Sequence, residues 1–114
     1  MRKILSLFLS IAIILTTGIN AKIDAASNGV QAAWLTTAWS LDWPKTKNNS
    51  TAQKKELIEI LDTLKDTGIN TVMFQVRPYG DAMYKSSINP WSKELTGTQG
   101  KDPGYDPLAF IIQE

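Results

Sequence analysis

The chain has 114 residues, with 12 Lys and Arg against 11 Asp and Glu and a formal net charge of +1. A near-neutral balance with no basic cluster gives no footing for nucleic-acid phosphates or for an anionic membrane surface. Cysteine and histidine are both absent, so the chain itself holds no disulfide, no Cys/His zinc site and no Ser-His or Cys-His nucleophile pair.

Residues 1–26 open with Arg2 and Lys3, run through an apolar stretch from Ile4 to Leu15, and reach small residues at Ala21, Ala25 and Ala26. This is the layout of a secretory signal peptide. Thr16, Thr17 and Gly18 cut the apolar run short of the ~20 residues that a membrane-spanning helix needs. Cleavage after Ala26 is expected, sending residues 27–114 to the cell envelope or the extracellular space. The membrane is then a partner only if the leader stays uncleaved. Losing Arg2, Lys3, Lys22 and Asp24 with the leader keeps the remainder near neutrality.

Residues 30–37, "VQAAWLTT", are a short apolar run, too continuous for an amphipathic helix, and predict a strand with Trp34 in the core. Residues 38–49 carry turn formers without a period and predict a loop. Ser50 and Gln53 have the spacing of a capping box. Leu57, Ile60, Leu61 and Leu64 then recur at helical intervals, with charged residues on the other side, so residues 51–67 predict a helix. Gly68 stands where a left-handed cap is wanted. Residues 71–77, "TVMFQVR", predict a strand buried on both faces. A strand, a crossover helix and a second strand form a βαβ unit with a parallel pair. Residues 78–105 are rich in proline, glycine and aromatics and predict a long, ordered loop anchored by Trp91, in which Glu94 and Asp102 are solvated charges. Asp106 and Pro107 have N-cap and first-turn character, and residues 108–112 open a second helix.

At this point the residues resemble a known family. The blocks "AAWLTTAWSLDWP", "TVMFQVRPYGDAMYKSSINPWSKELTGTQG" and "PGYDPLAF" are similar to the N-terminal part of the glycosyl hydrolase-like 10 (GHL10) proteins, from about Gln31 to the last residue. The resemblance implies an α/β fold, the (β/α)8 TIM barrel, together with secretion and action on glycans, cell-wall polysaccharide among them. No cofactor is expected, and no cluster of ligands in the sequence suggests a metal. Such a barrel takes roughly 250 residues, so residues 27–114 are expected to be its opening portion, strand 1 to the start of helix 2. On that expectation the chain by itself is inactive. A non-catalytic glycan-binding module, or a truncated product without independent activity, are the alternative readings.

In such barrels the C-terminal strand ends and the loops after them build the active site. Arg77 is placed there with donors for sugar hydroxyls or for a carboxylate, against a plain salt bridge. Asp81 is the candidate catalytic carboxylate, although glycoside hydrolysis uses a pair and Asp81 also suits capping its own turn. Trp39, Asp42 and Trp43, from the loop after the first strand, are candidate substrate contacts, as is Tyr79 from the second loop. The same tryptophans would serve as packing over the barrel's upper edge.

Overall fold

The structure is a computed structural model and describes residues 29–114, so the leader expected at residues 1–26 lies outside the described residues. Strand β1 (Ala32–Leu35) is followed by a single 3₁₀ turn (Ala38–Ser40) and helix α1 (Ser50–Asp66). Strand β2 (Thr71–Phe74), the four-residue helix α2 (Lys93–Thr96) and helix α3 (Pro107–Gln113) complete the order. The two strands pair in parallel, with Ala32 opposite Thr71 and Leu35 opposite Phe74. The βαβ unit read from the apolar pattern is therefore present.

Both strands are shorter than expected, because each chain stops laddering where its loop begins. Past Leu35 and Phe74 the chains stay joined in another way. Gln75 N donates to the Leu35 carbonyl at 3.0 Å, and the Gln75 side chain then takes over the pairing.

The helix caps follow the local sequence, with one revision. Asn49, not Ser50, is the N-cap of α1, and its Oδ1 accepts from Ala52 N at 3.0 Å. Gln53 consequently lies one position past the capping-box site and reaches in the other direction. Its Nε2 donates to the carbonyls of Thr46 (2.8 Å) and Leu95 (2.7 Å), and its Oε1 accepts from Tyr105 Oη at 2.9 Å. A fully buried amide thus ties both loops to the first turns of α1. Burial, with the Glu56 charge adding to it, pushes the Tyr105 phenol well above its ordinary value, so it remains a proton donor to Gln53. At the other end Gly68 takes φ 87°, a left-handed value that a side chain resists. Asp106 caps α3, its Oδ1 accepting from Ala109 N at 2.9 Å, with Pro107 in the first turn.

One face of the sheet packs against α1. Leu35 and Leu57 are buried, with Ile60, Leu61, Val72 and Phe74 partly buried around them. The core then extends upward beneath the loops through Trp43, Met83 and Leu95, each without accessible surface. Trp43 meets Phe74 edge-on at 5.8 Å, and its Nε1 donates to the Gln53 carbonyl at 2.8 Å.

The other face is bare among the described residues. Trp34, expected in the core, is 61% exposed, and Met73 opposite it is 52% exposed. Side chains alternate along a strand, so Leu35 points to α1 and Trp34 away from it. A strand covered on both faces was expected, but α1 covers only one of them.

The long second loop is ordered by an isolated bridge between Ala82 and Trp91. Ala82 N donates to the Pro90 carbonyl and Ser92 N to the Ala82 carbonyl, both at 2.9 Å. Helix α2, not anticipated within this loop, is closed by Ser92 at its start and by Gly97 (φ 86°) at its end.

Candidate functional site

The loops that leave the C-terminal ends of β1 and β2 meet above the strand pair. Gln75 brings them together. Its Oε1 accepts from Thr37 N and Ala38 N, both at 2.9 Å, while its own carbonyl accepts from Thr37 Oγ1 at 2.7 Å. A polar side chain interrupting the apolar run "TVMFQV" was the available signal for this role, and sequence reasoning passed over it.

With Thr37 held, the chain turns sharply. Trp39 and Ser40 take φ of 53° and 52°, both left-handed and both non-glycine. Such values cost about 1–2 kcal/mol per residue and persist only where the surroundings enforce them. Here the enforcement is visible. Trp39 N donates to Tyr79 Oη at 2.7 Å, and Ser40 Oγ donates to Glu94 Oε2 at 2.7 Å. The result is a tryptophan 74% exposed, with Tyr79 edge-on at 6.1 Å and an interplanar angle of 79°.

Glu94 is the anchor beneath this turn. It was expected to be a solvated loop charge, but it is 3% exposed. Lys47 Nζ lies 3.0 Å from its Oε2. Burial by itself raises the Glu94 pKa, but hydrogen bonds from Ser40, Lys47 and Tyr79 and the Lys47 charge outweigh it and hold the carboxyl below its ordinary value. No local pattern announces this role, since Ser40 is 54 positions away in sequence.

The remaining expected site residues separate into two groups. Arg77, Tyr79, Trp39 and Asp42 are exposed at the strand-top end. Arg77 Nη2 donates to the Gly80 carbonyl and to Asn89 Oδ1, both at 3.1 Å. Neither partner is a carboxylate, so the salt-bridge alternative for Arg77 finds no partner among the described residues. Asp42 Oδ2 accepts from Thr36 N at 2.7 Å, leaving its other oxygen for further contacts.

Trp43 and Asp81 are placed differently. Trp43, weighed as a sugar contact, has no accessible surface and acts as core. Asp81, the candidate catalytic carboxylate, is likewise fully buried. It accepts from Tyr79 N (3.3 Å), Lys93 N (3.4 Å) and Gln99 Nε2 (3.5 Å), so it pins the turn that presents Tyr79. Among the described residues no group of three or more Asp and Glu is gathered as for a metal ion.

The strand-top arrangement can offer an aromatic face with polar groups beside it, which suits a sugar ring: C–H groups stack on the indole while hydroxyls bond the flanking side chains. Comparison with known proteins places the chain among relatives. The glycosyl hydrolase-like 10 family description matches residues 29–114. The chain is 49% identical over 86 residues to glycosyl hydrolase YngK of Bacillus subtilis, covering 75% of this chain and 17% of that protein. It is 42% identical over 102 residues to glycosyl hydrolase DigH of Escherichia coli K12, covering 82% of this chain and 23% of that protein. The chain thus spans less than a quarter of the length of these relatives. With the family description covering every described residue, the chain belongs to the glycosyl hydrolase-like 10 family.

Proposed function

We propose that residues 27–114 form the opening β-α-β-α portion of a (β/α)8 barrel in a secreted glycoside hydrolase-like protein acting on envelope or other polysaccharide glycans. The parallel pair with α1 on one face supports the barrel reading. In a barrel the bare face carrying Trp34 and Met73 becomes the packed interior, which is filled by side chains from alternate strands. The secretion reading rests on the layout of residues 1–26, and is checked by the mass of the protein recovered from the culture medium. A product starting near residue 27 is expected, and one retaining Met1 contradicts it.

The observation that carries the glycan reading is Trp39, exposed, strained and braced at the strand-top end where barrels bind substrate. The share of this segment is sugar binding. A glycosidase pair needs two carboxylates on either side of the scissile bond, and here Asp81 and Glu94 are both consumed by internal hydrogen bonds. The pair is therefore assigned to other parts of a longer protein.

The test uses a chimera in which residues 29–114 replace the matched segment of the Bacillus subtilis relative, assayed for reducing-sugar release from cell-wall glycan. Arg77→Ala lowers turnover about tenfold, the loss of one charge-assisted hydrogen bond of ~1.5 kcal/mol. The melting temperature stays within about 2 °C, because Arg77 is exposed. Equal losses of turnover and stability, or unchanged turnover, reject a substrate contact for Arg77.

A further inference from the structure

The loops above the strand ends sort their charges unevenly. Two acids beside the exposed aromatics, Asp81 and Glu94, are buried and spent on internal donors. The cations of the same loop stay in water. Arg77 and Lys93 are exposed, and neither has a carboxylate within salt-bridge distance among the described residues.

Lys93 is also placed with respect to the rings. Its Nζ lies 4.6 Å from the centroid of Tyr79, which in turn meets Trp39 edge-on at 6.1 Å. Cation and rings form one contiguous surface. The negative face of an aromatic ring restrains an ammonium group without neutralising it, whereas a carboxylate partner would cancel its charge. Lys93 is therefore held without an opposing charge at salt-bridge distance.

Hydrogen-bonding capacity at this surface is lopsided as well. Lys93 offers three donors and no acceptor, and the Arg77 guanidinium is likewise donor-only. The exposed carboxylate of the neighbouring loop is Asp42, and one of its oxygens is already used by Thr36 N. A neutral sugar presents hydroxyls that donate as much as they accept, so this surface matches it poorly. A sugar bearing a carboxylate supplies the missing acceptor and the opposite charge.

We propose that the surface formed by Trp39, Tyr79 and Lys93 binds a carboxylate-bearing sugar, its ring on the Trp39 indole and its carboxylate at Lys93 Nζ. The proposal rests on the glycan-binding reading above and adds the charge class of the residue bound. Arg77, on the same loop, adds to the attractive field at close range.

The experiment titrates the 114-residue chain with trigalacturonate and with hyaluronan tetrasaccharide, each against its carboxyl-reduced neutral counterpart, following tryptophan fluorescence. Near-ultraviolet circular dichroism from packed Trp43 establishes that each variant is folded. At least one acidic probe binds tenfold or more tighter than its neutral counterpart, and raising the salt concentration removes the difference. Lys93→Gln abolishes the preference, and Lys85→Gln leaves it intact. A preference that survives Lys93→Gln, or equal binding of acidic and neutral probes by the unaltered chain, overturns the proposal but leaves glycan binding standing. Binding of both probes that is unchanged by Trp39→Ala overturns the stacking surface itself. No binding of any probe by the folded chain overturns both.

Discussion

Glu94→Ala is expected to cost about 2 kcal/mol of stability, because it takes the charged acceptor from the part-buried Ser40 hydroxyl. In the intact chain Glu94 receives Ser40 Oγ at 2.7 Å and Lys47 Nζ at 3.0 Å. Lys47 is 45% exposed and regains water when its partner is lost, so it contributes little to the cost. The Ser40 hydroxyl is the group left unpaired, beside the space vacated by the carboxylate, while Tyr79 Oη keeps Trp39 N as a partner. The same change removes the restraint on the left-handed turn at Trp39 and Ser40, and glycan turnover of the chimera falls with it. Urea denaturation of the chain measures the first effect. A loss below about 1 kcal/mol rejects the anchoring role.

A pH dependence follows from the same group. The Glu94 pKa is lower in the folded chain than its ordinary value of 4.5. For a depressed carboxyl, the folded state binds its proton less readily than the unfolded state does. Its contribution to stability is therefore fully present above about pH 4.5 and is lost as the pH falls through the folded value. Glu94→Gln keeps the side-chain carbonyl acceptor but removes the ionisation, so its stability declines less over the same acid range. Parallel acid profiles for the two proteins contradict this assignment.

Trp39→Gly is expected to separate function from stability. The indole is 74% exposed and its residue sits at φ 53°, ψ 18°. Glycine accepts that backbone conformation freely, which returns about 1 kcal/mol. Loss of the edge contact with Tyr79 takes back roughly 0.5–1.5 kcal/mol, and the added freedom of the unfolded chain takes a little more. The terms nearly cancel, so stability shifts by no more than about 1 kcal/mol.

Turnover does not share the cancellation. A sugar ring covering about 80 Å² of the indole gains ~2 kcal/mol at ~25 cal/mol per Å², and its loss lowers turnover about thirtyfold. Trp43→Ala is the internal contrast, since that ring is wholly buried and its truncation costs about 3–5 kcal/mol. A Trp39 variant that destabilises as Trp43→Ala does, or one that keeps full turnover, rejects the platform role.

What the amino-acid sequence determined by itself lies in short-range pattern. Apolar runs at 30–37 and 71–77 flanking a helical stripe require a parallel pair with a crossover helix, and β1, α1 and β2 form one. Gly68 and Asp106 act at the helix ends where their backbone freedom and side-chain acceptor put them. Each of these choices is made by residues within a turn or two of one another, so the local order of the chain carries it.

The tertiary structure decided which aromatic and polar side chains meet solvent. Trp34 and Trp43 exchange their expected places, because α1 covers one face of β1 while the loops close over Trp43. Gln53 and Glu94 carry no local mark of burial and Gln75 only its place in an apolar run, yet they hold the two loops together through partners 37 to 54 positions away. A buried polar group is stable only with its hydrogen bonds made, and partners that distant along the chain are supplied by the packing of loops rather than by neighbouring residues. The same packing leaves Trp39 as the exposed tryptophan above the strand ends and takes Asp81 out of contact with solvent.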